Sequence, residues 1–223
     1  MKHSFFIFLA SISLINSVAA QIPDDFGYIA DEIPDIRLEI RYASKENFMG
    51  RVVNGYSSPK VVLTKKALSA LKKAQTEFKQ LGYSIKVFDA YRPQHAVDDF
   101  MQWIKVEKDT VMKHKYYPQL DKKNLVTQGY IAEKSGHSRG STLDLSLVYL
   151  DGEKKGQEVD MGGSWDFFGI RSHYDYPEIS LEQKENRALL QKVMIKYGFL
   201  PYAEEWWHFT LENEPFPTDY FNF

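Results

Sequence analysis

Residues 135–150 read Ser-Gly-His-Ser-Arg-Gly-Ser-Thr-Leu-Asp-Leu-Ser-Leu-Val-Tyr-Leu, and two unlike patterns meet inside them. Around His137 the residues are glycines and small polar side chains. That predicts a tight turn whose backbone passes close to another part of the molecule. From Thr142 to Leu150, apolar residues at 143, 145 and 147 alternate with others, the period of a half-buried strand. Asp144 therefore opposes the leucines that flank it. A carboxylate in such a strand calls for a partner, a metal or a solvated face. On this stretch alone all three readings stand.

Working outward, Thr64 to Leu81 reads as an amphipathic helix. Thr64 can cap it, Leu68, Leu71, Phe78 and Leu81 recur at helical spacing, and Gly82 stops it. Ser84 to Asp89 alternates like a strand. Pro93 suits the first position of a second helix running through Val97, Phe100, Met101 and Ile104. Residues 105–133 are polar and read as a long loop with short helical pieces. Asp151-Gly152 signals a turn, after which Val159 is expected to begin a returning strand. Ser180 opens a third helix with Gln183 completing a capping box; Leu190, Val193, Met194 and Tyr197 form its buried stripe. Residues 204–211 read as a last strand. No repeat, low-complexity tract or linker interrupts the series. The expectation is one α+β domain over residues 21–223, with a central, mostly antiparallel sheet flanked by helices.

The first twenty residues read differently. Lys2 and His3 precede an apolar run from Phe5 to Ile15, and Asn16-Ser17-Val18-Ala19-Ala20 supplies small residues for cleavage. This is the layout of a signal peptide over residues 1–20, too short to span a bilayer. The expected mature chain is exported, periplasmic or secreted, with no stable membrane anchor once the leader is gone. The chain is 43% hydrophobic and 26% charged, enough apolar surface for a real core, and its formal net charge is −2. Nothing there makes the basic face that nucleic acid demands. With no cysteine, disulfides and thiolate metal sites are out, so any metal must use His, Asp or Glu.

Six histidines are present. His3 leaves with the leader, and His95 and His114 sit among polar residues as surface side chains do. His208 lies in Glu204-Glu205-Trp206-Trp207-His208-Phe209. Tryptophan walls there would lower the local dielectric and make a carboxylate more basic. A core strand with a hydrogen-bonded histidine explains the same residues equally well. Taken together, His137, Asp144 and His208 supply two imidazoles and a carboxylate, a set that suits catalytic zinc with one position open. A nearby glutamate could take a proton from water. Arg92, between a strand and a helix, could stabilise an oxyanion or simply pair with Asp89.

These pieces resemble the VanX-type D-alanyl-D-alanine dipeptidases, a group of zinc D,D-peptidases with an α+β fold. The resemblance is carried by Ser135-x-His137-x-x-Gly140-x-x-x-Asp144 and by Glu205-x-x-His208. Further similar stretches are Arg41-Tyr42-Ala43, Asp89-x-Tyr91-Arg92-Pro93, Phe100-Met101-Gln102-Trp103 and Arg171-Ser172-His173, so nearly the whole mature chain is covered. The resemblance implies one zinc ion per chain on His137, Asp144 and His208. It implies Glu205 as general base and Arg92 as the stabiliser of the tetrahedral intermediate. It implies Tyr42, Ser135 and Asp166 at the dipeptide, with Asp166 suited to its ammonium. Asp160 competes for that last place, since the loop length differs. His173 also matches a family histidine, and a structural hydrogen bond is its default role.

One conflict follows. Strand periodicity puts Glu204, Trp206 and His208 on one face and Glu205 on the other. The resemblance nominates Glu205, and thereby predicts a bend before His208. The expected activity is zinc-dependent hydrolysis of D-alanyl-D-alanine in wall turnover or scavenging. The rivals are a D,D-carboxypeptidase or endopeptidase on peptidoglycan peptides and a non-catalytic zinc-binding domain. A structural domain whose surface Asp and core histidines bind no metal would also account for the isolated residues. Oligomeric state is not set by the sequence.

Overall fold

In the computed structural model, which describes residues 22–56 and 61–223, Asp89, Asp144 and His208 stand side by side on three neighbouring strands. The expected leader, residues 1–20, lies outside the described residues. Chain order explains how the row arises. Strand β1 (Phe26–Tyr28) leads to a single helical turn α1 (Ile29–Glu32), then β2 (Arg37–Leu38), β3 (Val62–Thr64) and α2 (Lys65–Gln80). Next come β4 (Tyr83–Asp89), α3 (Gln94–Lys105), a short α4 (Lys113–Tyr116) and β5 (Thr142–Tyr149). The chain ends with α5 (Leu181–Lys196), β6 (Phe199–Tyr202) and β7 (Glu205–Leu211).

The main sheet runs β2-β4-β5-β7-β6, and β1 pairs with β3 separately. Three pairings in the main sheet are antiparallel and the β2–β4 edge is parallel, so the sheet is mixed. A mostly antiparallel sheet is the expectation from sequence; the parallel edge is not legible there because β2 is two residues long and carries no alternation to read. The domain is nonetheless a single α+β unit.

The helices begin where their caps dictate. Thr64 Oγ1 accepts from the Ala67 amide, and Ser180 and Gln183 form the reciprocal capping box. Pro93 is the cap of α3 rather than its first residue: its ψ of 147° is extended, and the helix starts at Gln94. The leucines and phenylalanine of α2 and the Leu190, Val193 and Met194 stripe of α5 share one core with Ile85, Val87, Leu143, Leu145 and Leu147. Each such side chain contributes about 1.5–3 kcal/mol when fully buried. The returning strand expected at Val159 does not form. Only a bridge between Val148 and Glu158 is present, with Val159 N donating to Leu147 O, before the chain turns away toward Asp166.

Two ladder irregularities fix the site. Register slips by one residue between Val87 and Asp89, which sets Asp89 opposite Asp144. In an unbroken ladder Phe88 would hold that place and Asp89 would face the other side of the sheet. The β5–β7 ladder ends at the Asp144–His208 pair, so the row sits where two strands part.

Candidate active site

His137 lies in a 3-10 turn, Gly136–Arg139, just ahead of β5. Ser135 caps the turn, its Oγ accepting from the His137 amide at 3.3 Å. Gly140 ends it at a φ of 80°, where a Cβ would meet the Phe26 ring at 2.2 Å. This is the close backbone approach that the glycines around His137 predict. The turn also delivers the His137 carbonyl to the Arg92 amide at 3.3 Å.

His137, Asp144 and His208 converge. His137 Nε2 is 3.3 Å from His208 Nδ1 and 3.3 Å from Asp144 Oδ1, and His208 Nδ1 is 3.0 Å from that same oxygen. Ligands held at ~2.0–2.1 Å in a tetrahedron stand about 3.3–3.4 Å apart, so the three atoms outline one face of a zinc-sized site. The protonation pattern agrees. His137 Nδ1 lies 2.7 Å from the Ala90 carbonyl, which can only accept, so the proton sits on Nδ1 and Nε2 offers its lone pair. Burial holds the His137 pKa below its ordinary value, which favours that neutral form. Burial resists ionisation of Asp144, but the two imidazoles, His137 foremost, overcome it and hold the carboxyl well below the usual range. Trp165 Nε1 donates to Asp144 Oδ2 at 3.2 Å and so orients the carboxylate from behind.

These atoms form one wall of a cavity of about 220 Å³, which Tyr42, Arg92, Ser135, Asp166 and Glu205 also line. Glu205 is half-buried, with Oε2 3.5 Å from His208 Nδ1. Burial, with Asp144 close by, pushes its carboxyl up to about 8. The periodicity conflict is resolved by the β6–β7 ladder. Pro201 pairs with Phe209, but Tyr202 pairs with Glu205, so three residues of β7 go unopposed. That irregularity turns Glu205 to the side of His208, and Glu204 is not among the lining residues.

Arg92 makes the Asp89 pair and also lines the cavity. Its Nε and Nη2 meet Asp89 Oδ2 at 2.9 and 2.8 Å, and Nη2 also stands 3.9 Å from Asp144 Oδ2. Its guanidinium lies over the Tyr42 and Phe100 rings, 5.1 and 5.2 Å from their centres. Asp166 is buried, and the Tyr42 hydroxyl donates to its carboxylate at 3.1 Å. Burial, then the nearby Asp144, push the Asp166 pKa well above its ordinary value, so the site favours a cation there. Asp160 is exposed and bound to Gln183 and Gly162, away from the cavity. His173 is not among the lining residues; its carbonyl accepts from Arg187.

Sequence reasoning did not single out Trp165, Phe168, Tyr130 or Tyr202, which back or line the site. For Trp165 a signal existed: an indole N–H beside an acid in Gly-Gly-Ser-Trp-Asp needs a partner when buried. The aromatic walls carry no such mark in the sequence.

Comparison with known proteins identifies the family. The M15 peptidase family model, described as D-ala-D-ala dipeptidase, matches residues 25–223. A D-alanyl-D-alanine dipeptidase of Enterococcus faecalis is 41% identical over 198 residues, 89% of this chain and 96% of that protein. One from Streptomyces coelicolor is 39% identical over 199 residues, covering 89% and 97%. One from Escherichia coli is 33% identical over 178 residues, 80% of each chain. On this identity over nearly the whole length, the chain is a peptidase and belongs to the M15 D-ala-D-ala dipeptidase family.

Proposed function

We propose that this chain hydrolyses D-alanyl-D-alanine or a close D,D-dipeptide, using one zinc ion on His137, Asp144 and His208. The observation that carries the reading is the triad and Glu205 opening onto one small cavity. A divalent ion held by His137, Asp144 and His208 would supply Lewis-acid polarisation and lower the pKa of water near it. The protein's own groups do the rest. Glu205 takes the proton of the attacking water and returns it to the leaving amine, a task suited to a carboxyl raised toward neutrality. Arg92, held rigid by Asp89, offers N–H groups to the oxyanion of the tetrahedral intermediate. Asp166, oriented by Tyr42, takes the dipeptide's ammonium. Ser135 stands at the cavity's edge to contact the substrate backbone.

The cavity volume supports a dipeptide over a longer chain. At about 220 Å³ it is below the roughly 300–1,000 Å³ of pockets that take drug-sized ligands. A carboxypeptidase or endopeptidase on cross-linked wall would need an open groove. The sequence of residues 1–20 supports export, and an exported dipeptidase meets wall fragments instead of the cytoplasmic precursor pool. Turnover or scavenging is therefore the role we assign. Release of free alanine is to be measured from all four stereoisomers of Ala-Ala and from a muropeptide ending in D-Ala-D-Ala, with metal content measured on the same sample. Cleavage confined to the free D,D-dipeptide is expected; preference for the muropeptide would sink the dipeptidase reading.

A further inference from the structure

Arg187, in the middle of α5, is 1% exposed, yet its guanidinium is directed at carbonyls and not at a carboxylate. Nε donates to Met161 O at 2.6 Å, Nη1 to His173 O at 2.6 Å and Nη2 to Arg171 O at 3.0 Å. Those carbonyls stand at the two ends of one loop, residues 161–173. The loop brings Asp166 and Phe168 to the cavity wall and Trp165 onto Asp144. A planar fork with donors fixed in three directions can hold both ends at once, which the flexible ammonium of lysine cannot reproduce.

Two further observations converge on the same loop. Asp166 has a φ of 65°, and among the described residues it is the only non-glycine at positive φ. Such a backbone persists where its surroundings over-determine it. The approach to the loop is tied to the same helix: Gln183 Nε2 donates to Asp160 Oδ2 at 2.8 Å and Asn186 Nδ2 to Asp160 O at 2.9 Å. Within the loop, Arg171 Nε donates to Gly162 O at 2.6 Å. The helix thus fixes where Asp166 stands, though it does not touch the cavity.

We infer that Arg187 is a positioning residue for substrate recognition: by closing both ends of the 161–173 loop it holds the Asp166 carboxylate where the dipeptide's ammonium binds. This rests on the reading of Asp166 given above. The test uses the full chain, zinc-loaded, with D-Ala-D-Ala and its N-acetylated form as substrates. In Arg187→Lys the KM for the free dipeptide should rise by about tenfold while kcat changes by less than about threefold. Preference for the free over the acetylated amine should fall by about tenfold, and Asp166→Asn should show the same loss, with no addition in the double variant. A merely structural arginine would lower the active fraction and leave KM and preference alone. A folded Arg187→Lys within about twofold of the parent in both quantities overturns the inference. If Arg187→Lys does not fold, Asn186→Ala carries the test: a preference reduced by about twofold or more supports the inference, and an unchanged preference overturns it. A parent chain that does not prefer the free amine fails the reading of Asp166 itself, before Arg187 is at issue.

Discussion

Asp144 and Asp166 are both buried carboxylates on one cavity, yet their surroundings drive them in opposite directions. Asp144 stands on β5 with an imidazole on either side and an indole N–H behind it. Asp166 stands on an irregular loop, hydrogen-bonded to Tyr42. The first is held ionised by groups the protein brings itself. The second faces a cavity where a substrate ammonium would supply the missing charge. Burial alone therefore does not say what a carboxylate does; the charges facing it decide. On the proposed function, the strand wall would hold the metal and the loop wall would take the substrate's ammonium.

The harshest way to break the strand wall is to remove a ligand. His208→Ala should lose stoichiometric zinc and about 10³-fold or more in kcat/KM, since a Lewis acid contributes several kcal/mol to the transition state. Metal analysis alongside steady-state kinetics checks both. Glu205→Gln should keep the metal and lose about 10²–10⁴-fold in kcat. Glu204→Ala should leave turnover near the parent's. If the two glutamates exchanged roles in that experiment, the ladder irregularity in β7 would have been misread.

Weaker changes sharpen the contrast. Trp165→Phe removes the donor to Asp144 Oδ2 and should weaken zinc binding by about 10–100-fold, measured by competition with a chelator. The pH dependence of the metal-free protein probes Glu205. Its folded pKa, about 8, lies above that of an unfolded glutamate, so its contribution is fully present below pH ~4.5 and is lost as pH rises through 8. The total loss is on the order of 3 kcal/mol after allowing for partial solvent access, and Glu205→Gln should lack it in chelator-treated denaturation curves. Smallest is Ser180→Ala, which removes the α5 cap and should cost about 1 kcal/mol of stability with KM unchanged.

The strand wall was largely legible in the sequence and the loop wall was not. Helices α2 and α5 and strands β4, β5 and β7 announce themselves by period and caps, and the glycines around His137 mark its turn. Strands of two to four residues, β1, β2, β3 and β6, carry too few positions to alternate. Period-two counting also failed at Glu205, because a ladder irregularity breaks the parity it assumes. Asp166 lies in a loop at positive φ, where no periodicity exists; only the family resemblance pointed to it. Arg187 was invisible because its partners are carbonyls, which every residue has.

The most direct test of the central claim is a zinc titration of chelator-stripped protein that follows D-alanine release from D-Ala-D-Ala at each step. Release should rise in proportion to occupancy and saturate at one ion per chain, with Glu205→Gln binding the same single ion without releasing D-alanine. Full release from metal-free protein, or saturation with no activity in the parent chain, would contradict it.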